Sequence, residues 1–250
     1  MTLLSICQQA AREAGFDAPT TIISNTNTTA VKLLAAAQTE GRVLALGTIP
    51  GRNGGAKAGR HDWQAITKEY TFNTVVSTEA YTLPTDFRRI VEDSCWDRTN
   101  DQPLNLVSPQ QWQFLKGSVT ATTSLRKNFR LRQNTIIIYP TDAVAAIYYE
   151  YVSTQWCESS GGTDKSAWSV DTDVGLLDEG LMTLGIKWRF MSMLGMPYYE
   201  EKQEYEDEVL RAMGEDVRQL SAPVSVADQM LYQMRQQQKL NPGGQGGANP

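Results

Sequence analysis

The sequence predicts an α+β protein. It reads as a helical bundle made of N-terminal and C-terminal helices, with an antiparallel β-sandwich or barrel-like domain between them and a disordered C-terminal tail. Three observations predict this. Apolar residues recur at helical spacing near the start of the chain and again after Asp173. From Trp63 to about Trp156 the pattern changes to short runs with period two. After Ser221 large apolar side chains become scarce. A chain of 250 residues is long enough to bury a substantial core.

The elements follow in order. Leu3, Leu4, Cys7, Ala10, Ala11 and Ala14 mark a first helix over residues 2–15, with Gly15 at its C-terminal cap. A Thr-, Ser- and Asn-rich connector leads to Asn27 or Thr28, either of which can cap a second helix, Thr29 to Leu46. Its apolar face is expected at Val31, Leu34, Ala35, Gln38 and Val43. Gly47 to Arg60 is rich in Gly and Pro and reads as a basic loop carrying Arg52, Lys57 and Arg60. Strands are expected over 70–75, over 79–83 up to the stop at Pro84, and over 87–96. Ser108-Pro109 reads as cap and first residue of a helical turn. Strands resume at 129–132, 135–139 and 145–152, with Gln133-Asn134 as a hairpin turn. Residues 159–172 are polar and read as a loop. Asp173 is expected to cap a helix to Leu194 with the stripe Leu177, Leu181, Leu184, Trp188 and Met191, broken by Gly195 and Pro197. A last helix covers 198–220. The domain reading is therefore 1–62 (helices and basic loop), 63–157 (β-rich), 173–220 (helices completing the bundle) and 221–250 (tail).

The chemistry of the chain is mostly exclusion. Cys7, Cys95 and Cys157 are far apart, with no C-x-x-C pair, and read as packing residues in a reducing compartment. His61 is the one histidine, so no site needing two is available. Neither G-x-S-x-G nor a P-loop occurs. No catalytic, cofactor-binding or metal-ligating residue is assigned, and no cofactor is expected. No run of eighteen apolar residues exists, so no transmembrane helix or membrane partner is expected. The N-terminus lacks a basic n-region and reads as an amphipathic helix rather than a signal peptide. A net charge of -5 argues against a general nucleic-acid binder.

The charge distribution is more telling. Lys116, Arg126, Lys127, Arg130 and Arg132 stand without an acid among them. The segment 200–216 holds Glu200, Glu201, Glu204, Glu206, Asp207, Glu208, Glu215 and Asp216 against Lys202 and Arg211. A basic strand and an acidic helix in one chain suit contact between copies, and Arg126, Lys127, Arg130, Arg132, Glu201, Glu204, Asp207 and Glu208 are the expected contact residues.

One stretch has no catalytic logic but a recognisable order. An aromatic residue at Trp63 precedes a strand, then Tyr81-Thr-Leu-Pro-Thr-Asp-Phe87, Trp96-Asp-Arg-Thr99 and Ser108-Pro-Gln-Gln-Trp112. Leu176-Leu-Asp-Glu179 and Gly185-Ile-Lys-Trp-Arg-Phe190 continue it. This order resembles the head-to-tail adaptor proteins of tailed bacteriophages, over residues 28 to 212. The Gly47–Arg60 stretch interrupts the pattern and reads as an insertion facing DNA or the tail. The resemblance implies a virion neck protein, made in the host cytoplasm, that forms a ring of twelve copies beneath the portal. It joins the portal to a tail nozzle or next tail protein and lets double-stranded DNA pass without sequence specificity. It also implies that residues 221–250 reach up the portal, with Met230, Leu231, Tyr232 and Met234 as the anchor.

The alternative is a peptidoglycan hydrolase of the virion. It needs two carboxylates about 5 to 9.5 Å apart, one with a raised pKa. Glu79, Asp86, Glu92, Asp93, Asp97, Asp101 and Glu150 are the candidates, none set apart by a motif, and Asp86 reads as a turn residue bonding backbone amides after Pro84. A Ser-His-Asp arrangement would have to use His61 beside Asp62.

Overall fold

The first helix, α1 (Leu3–Glu13), begins where Thr2 accepts the Ser5 amide on its hydroxyl. The next free amides, of Leu3 and Leu4, donate to the carbonyls of Asp173 and Asp171, so the helix start is tied to a distant loop. It ends as expected at Gly15: Phe16 N–H donates to Ala11 and Gly15 N–H to Arg12, and the Phe16 ring packs edge-on to Phe190. α2 (Thr28–Leu44) is capped by Asn27, whose side chain accepts the Thr29 amide at 2.9 Å.

The structure is a computed structural model that describes residues 1–48, 60–117, 127–141 and 143–220. The expected tail and most of the basic loop lie outside the described residues. The chain divides into two units, Met1–Leu210 and Arg211–Pro250. Of the second, only the end of the last helix is described.

The expected buried face of α2 is corrected. Ala30, Leu33, Ala36, Ala37, Glu40, Gly41 and Leu44 are buried, while Val31 and Ala35 are exposed and Leu34, Gln38 and Val43 lie between. The reason is polar. Glu40 is drawn inward by Arg189 and Tyr205, and Gly41 offers the flat spot on which the Trp156 ring lies.

After Trp63 a short 3-10 turn (Gln64–Ile66) leads into β1 (Thr67–Asn73). Then come β2 (Ala80–Thr82), β3 (Phe87–Ile90), β4 (Trp96–Asp97), β5 (Gln102–Pro103), β6 (Asn105–Leu106) and α3 (Pro109–Gly117). β7 (Asn128–Arg132), β8 (Thr135–Tyr139) and β9 (Ala146–Ser153) follow. The expected strand over 87–96 is two strands, because the chain turns at Glu92 and Asp93, the latter at φ +56°. β9 is the central strand of one sheet: β1 pairs along its whole length, from Thr67 opposite Val152 to Asn73 opposite Ala146, while β3 and β4 share its other edge. The second sheet runs β2-β8-β7-β6, and its β6–β7 pair is parallel. The hairpin at Gln133-Asn134 forms as expected, with Arg132 opposite Thr135.

Both sheets feed one apolar cluster. Phe129, Ile136 and Ile138 come from the second sheet, Ile147, Tyr149 and Tyr151 from β9, and Leu83, Cys95 and Leu104 from the connections. Period two puts these side chains on one face of each strand. α3 lies against the second sheet through Trp112, which meets Tyr139 edge-on. The Ser108 hydroxyl accepts the Gln111 amide while Gln111 accepts the Ser108 amide, the reciprocal cap that fixes this short helix.

Two expectations after Trp156 change. The polar stretch 159–172 contains a strand: β11 (Asp164–Lys165) pairs with β10 (Cys157–Glu158), which also pairs with β12 (Val174–Gly175). The helix expected from Asp173 starts later, as α4 (Glu179–Met193), capped by Asp178 on the Leu181 amide at 2.9 Å. Asp173 is already committed. It is fully buried and accepts from Lys165, from the amides of Ser169 and Val170, and from the Ser169 hydroxyl. Within the expected stripe Leu177, Leu181 and Met191 are buried, and Leu184 and Trp188 lie at its margin. α4 packs on both α1 and α2. α5 (Tyr199–Leu220) then buries Tyr205 and Val209.

Candidate functional site

Polar clusters tie elements distant in sequence to one another among the described residues. In the helical part, Glu40 is fully buried on α2. It accepts from Arg189 Nε at 2.6 Å and from the Tyr205 hydroxyl at 2.6 Å, so one carboxylate ties α2, α4 and α5. Burial pushes its pKa up, and Arg189 and Tyr205 oppose that shift in part. Gly185 stands against the same carboxylate, leaving no room for a side chain there.

In the β part the cluster centres on Asp86. Its carboxylate accepts from Lys68 Nζ at 2.9 Å, the Tyr151 hydroxyl at 2.9 Å and the Ser153 hydroxyl at 2.8 Å. The expectation that it bonds backbone amides after Pro84 is therefore corrected: it links β1 and β9, because Pro84 turns the chain so that Asp86 points at those strands. Burial alone would raise its pKa, but the bonds from Lys68, Ser153 and Tyr151 outweigh it and hold Asp86 below the usual carboxylate value. Lys68 also reaches Asp164 at 2.7 Å, which joins β1 to β11. Asp173 is likewise held low; Lys165 and the Ser169 and Val170 amides overcome its burial.

These depressed values set a pH dependence. A carboxylate with a lowered folded-state pKa stabilises the fold above its unfolded value, and that contribution is lost as pH falls through the folded value. Urea midpoints are expected to hold from neutral pH down to about 4 and then fall steeply. Asp86→Asn should lower the unfolding free energy at neutral pH by about 1.5–3 kcal/mol, with a matching fall in the urea midpoint, and flatten the acid limb. An unchanged acid limb in that variant would show that Asp86 is not the titrating group.

Among the described residues, several of the carboxylates weighed for hydrolysis are engaged in structural bonds. Asp86 is committed as described, Glu79 is ion-paired with Lys116, and Asp97 accepts from the amides of Thr99 and Asn100 and from the Asn100 side chain. Glu92, Asp93, Asp101 and Glu150 are exposed. Glu40, the carboxyl with a raised pKa, has no exposed surface from which to meet a substrate. Asp62 is held by Arg89, while His61 is buried edge-on to Trp63 at 4.7 Å. The thiols of Cys7, Cys95 and Cys157 are buried and free, each pushed up to about 12 chiefly by burial. Among the described residues no group of three or more His, Cys, Asp or Glu is placed to hold a metal ion. No helix among them is long and apolar enough to cross a membrane.

The exposed surfaces remain. Of the expected contact residues, Glu204 and Asp207 are exposed on α5 and Glu201 and Glu208 half-exposed, opposite the buried Tyr205 and Val209. On β7 Arg132 is exposed and Arg130 half-exposed, but Lys127 turns inward and donates to the carbonyls of Pro140 and Ala143. The structure thus separates Lys127 from the two arginines. Arg126, Arg52, Lys57 and the anchor residues Met230, Leu231, Tyr232 and Met234 lie outside the described residues. Arg60 is exposed at the base of the basic loop, where it bridges Thr48 and the His61 amide donates to Gly47. Gly47 sits at φ +61° with the His61 carbonyl packed on its α-carbon, a position open only to glycine. Sequence reasoning missed one exposed surface, the outward side of α2, where Val31 and Leu46 stand in the open. Its signal was present, since the residues assigned to the core of that helix include the exposed ones.

The motifs quoted from the sequence fall at structural joints. Tyr81-Thr-Leu-Pro-Thr-Asp-Phe87 places Asp86, Trp96-Asp-Arg-Thr99 places the Asp97 turn, Ser108-Pro109 starts α3, and Gly185 to Phe190 lines α4 against Glu40. A comparison with curated proteins finds no match. A comparison with protein families matches residues 1–228 to the model described as SU10 adaptor protein, which takes in α1 and the Gly47–Arg60 stretch as well as the motif-bearing residues. The chain belongs to the SU10 adaptor protein family, a family of phage head–tail adaptors.

Proposed function

We propose that this structural phage protein forms a ring of twelve copies beneath the portal in the virion neck, joins the capsid to the tail, and leaves a conduit for double-stranded DNA. The observation that carries the reading is the family match over residues 1–228. In this reading the helices and the β-rich region build each subunit, with domain limits near 62, 157 and 173. The acidic outer face of α5 meets a basic surface of the next copy, with Arg130 and Arg132 on β7 among its candidates. The lower end of the ring meets a nozzle or next tail protein. DNA passes without sequence-specific contacts, since a channel that neutralised many phosphates would hold the duplex rather than release it. Arg52, Lys57 and Arg60 place a basic loop toward DNA or the tail.

The segment 221–250 is the portal-docking arm, anchored by Met230, Leu231, Tyr232 and Met234. Thirty residues, extended at about 3.3 Å each, reach far along a portal subunit. Ordering such a segment costs part of the docking energy, so affinity depends on its apolar anchor. The test is co-sedimentation with purified portal rings. Full-length protein is expected to travel with the rings, and protein ending at Leu220 to stay behind. Equal binding by the two would remove the docking role from the arm. Peptidoglycan clearing by the full-length protein, without portal binding, would favour the hydrolase reading.

A further inference from the structure

α2 has a buried apolar side and an opposite side on which apolar residues stand among cations, and the single chain covers only the first. Its buried side carries Ala30, Leu33, Ala37, Gly41 and Leu44. Opposite, at helical spacing, Val31, Ala35 and Arg42 are exposed, and Leu46 continues the line just past the helix end. Val31 is 50% and Leu46 41% exposed. Met193 extends the patch at 41% exposure, held beside α2 by Lys32, whose ammonium donates to the Met193 carbonyl at 3.2 Å. The charges of this face are of one sign: Lys32 and Arg42 are cationic, and the one acid between Thr28 and Leu46 is the buried Glu40.

The outward face of α5 is its complement. Glu200, Glu204 and Asp207 stand on it with Leu210, flanked by Tyr199 at 73% exposure. Glu40 on the buried side of α2 accepts from Tyr205 on the buried side of α5, so the face opposite that bond is the one left open on each helix. α5 therefore presents an acidic face with apolar flanks, and α2 a different, basic face with apolar residues among its cations. That is the arrangement a head-to-tail contact needs, because two different faces joined in series propagate from copy to copy.

We infer that the outward face of α2 docks on the outward face of α5 of a second copy of this chain, with Val31, Ala35 and Leu46 against Tyr199 and Leu210, and Arg42 against Glu204 and Asp207. The inference rests on the adaptor reading for the assembled state and names the surfaces that build it. It also selects α2, rather than Arg130 and Arg132, as the counterpart of the acidic helix.

The test is disulfide trapping on full-length protein bound to portal rings. The native thiols are buried, so Ala35→Cys and Tyr199→Cys, combined in one chain, supply the reactive pair. Oxidation is expected to give a ladder of covalent oligomers. Ala35→Cys alone should give none; dimers from it would mean α2 meets α2 and would overturn the inference. A ladder from Arg132→Cys with Asp207→Cys, and none from the first pair, would overturn it in favour of β7. Normal portal binding without any α2–α5 cross-link would overturn it while leaving the adaptor reading intact. Failure of wild-type protein to bind portal rings would refute the adaptor reading itself, and this inference with it. As a second readout, Arg42→Glu is expected to lower portal-bound occupancy about tenfold, with recovery when Glu204→Arg is added. No recovery in the double variant would count against the pairing.

Discussion

Trp156→Ala is expected to lower unfolding free energy by about 3–5 kcal/mol. Trp156 is 1% exposed, and its ring lies flat against Gly41 on α2 and edge-on to Trp168 at 5.1 Å. Its backbone joins two further elements: its amide donates to the Lys165 carbonyl and its carbonyl accepts from Leu176. Removing the ring empties the place where the segment after β9 meets α2. The contact with Gly41 makes the test specific. Gly41→Ala alone pushes a methyl into the indole and should cost about 1–3 kcal/mol, since a packed core cannot absorb added volume. In a Trp156→Ala background the same methyl enters vacated space and should cost less or even stabilise. A denaturant double-mutant cycle reads the coupling, and strict additivity would show that the two groups do not touch.

Arg189→Ala is expected to cost about 3–5 kcal/mol at neutral pH, because it leaves the fully buried Glu40 carboxylate without its cation. Glu40 already has a raised pKa from burial, opposed by Arg189 and Tyr205. Without Arg189 the carboxyl rises further. A raised folded pKa favours the fold at low pH and the benefit is lost as pH climbs through that value. The deficit of Arg189→Ala should therefore be largest at neutral pH and shrink as pH falls toward the ordinary carboxylate range. Glu40→Gln should be milder, since the amide retains a bond to Tyr205. A pH-independent deficit in Arg189→Ala would show that lost packing of the arginine stem, rather than the stranded charge, dominates.

Local signals were legible in the sequence where neighbouring residues supply the physics. Gly15 ends α1, Asn27 caps α2, Ser108-Pro109 starts α3 and Gln133-Asn134 turns β7 into β8, each through bonds spanning a few residues. What was not legible depends on distant partners. Two aspartates precede the apolar run of α4, and nothing local says that Asp173 is taken by Lys165 and the loop amides while Asp178 makes the cap. The face of α2 is decided by Arg189 and Tyr205, 149 and 165 residues from Glu40. Asp86 looked like a turn residue because its partners, Lys68, Tyr151 and Ser153, lie on strands that sequence alone does not bring together. The exposed charges were legible as composition, but the inward turn of Lys127 was not, since it depends on carbonyls across the hairpin.

The adaptor function rests on the family match over residues 1–228, and the motifs that carried the resemblance fall at joints of the fold. The measurement that tests it most directly is electron microscopy of the full-length protein mixed with portal rings. A collar of added density at one end of the portal is expected, with twelve repeats around the axis. Portal rings unchanged at saturating protein would contradict it.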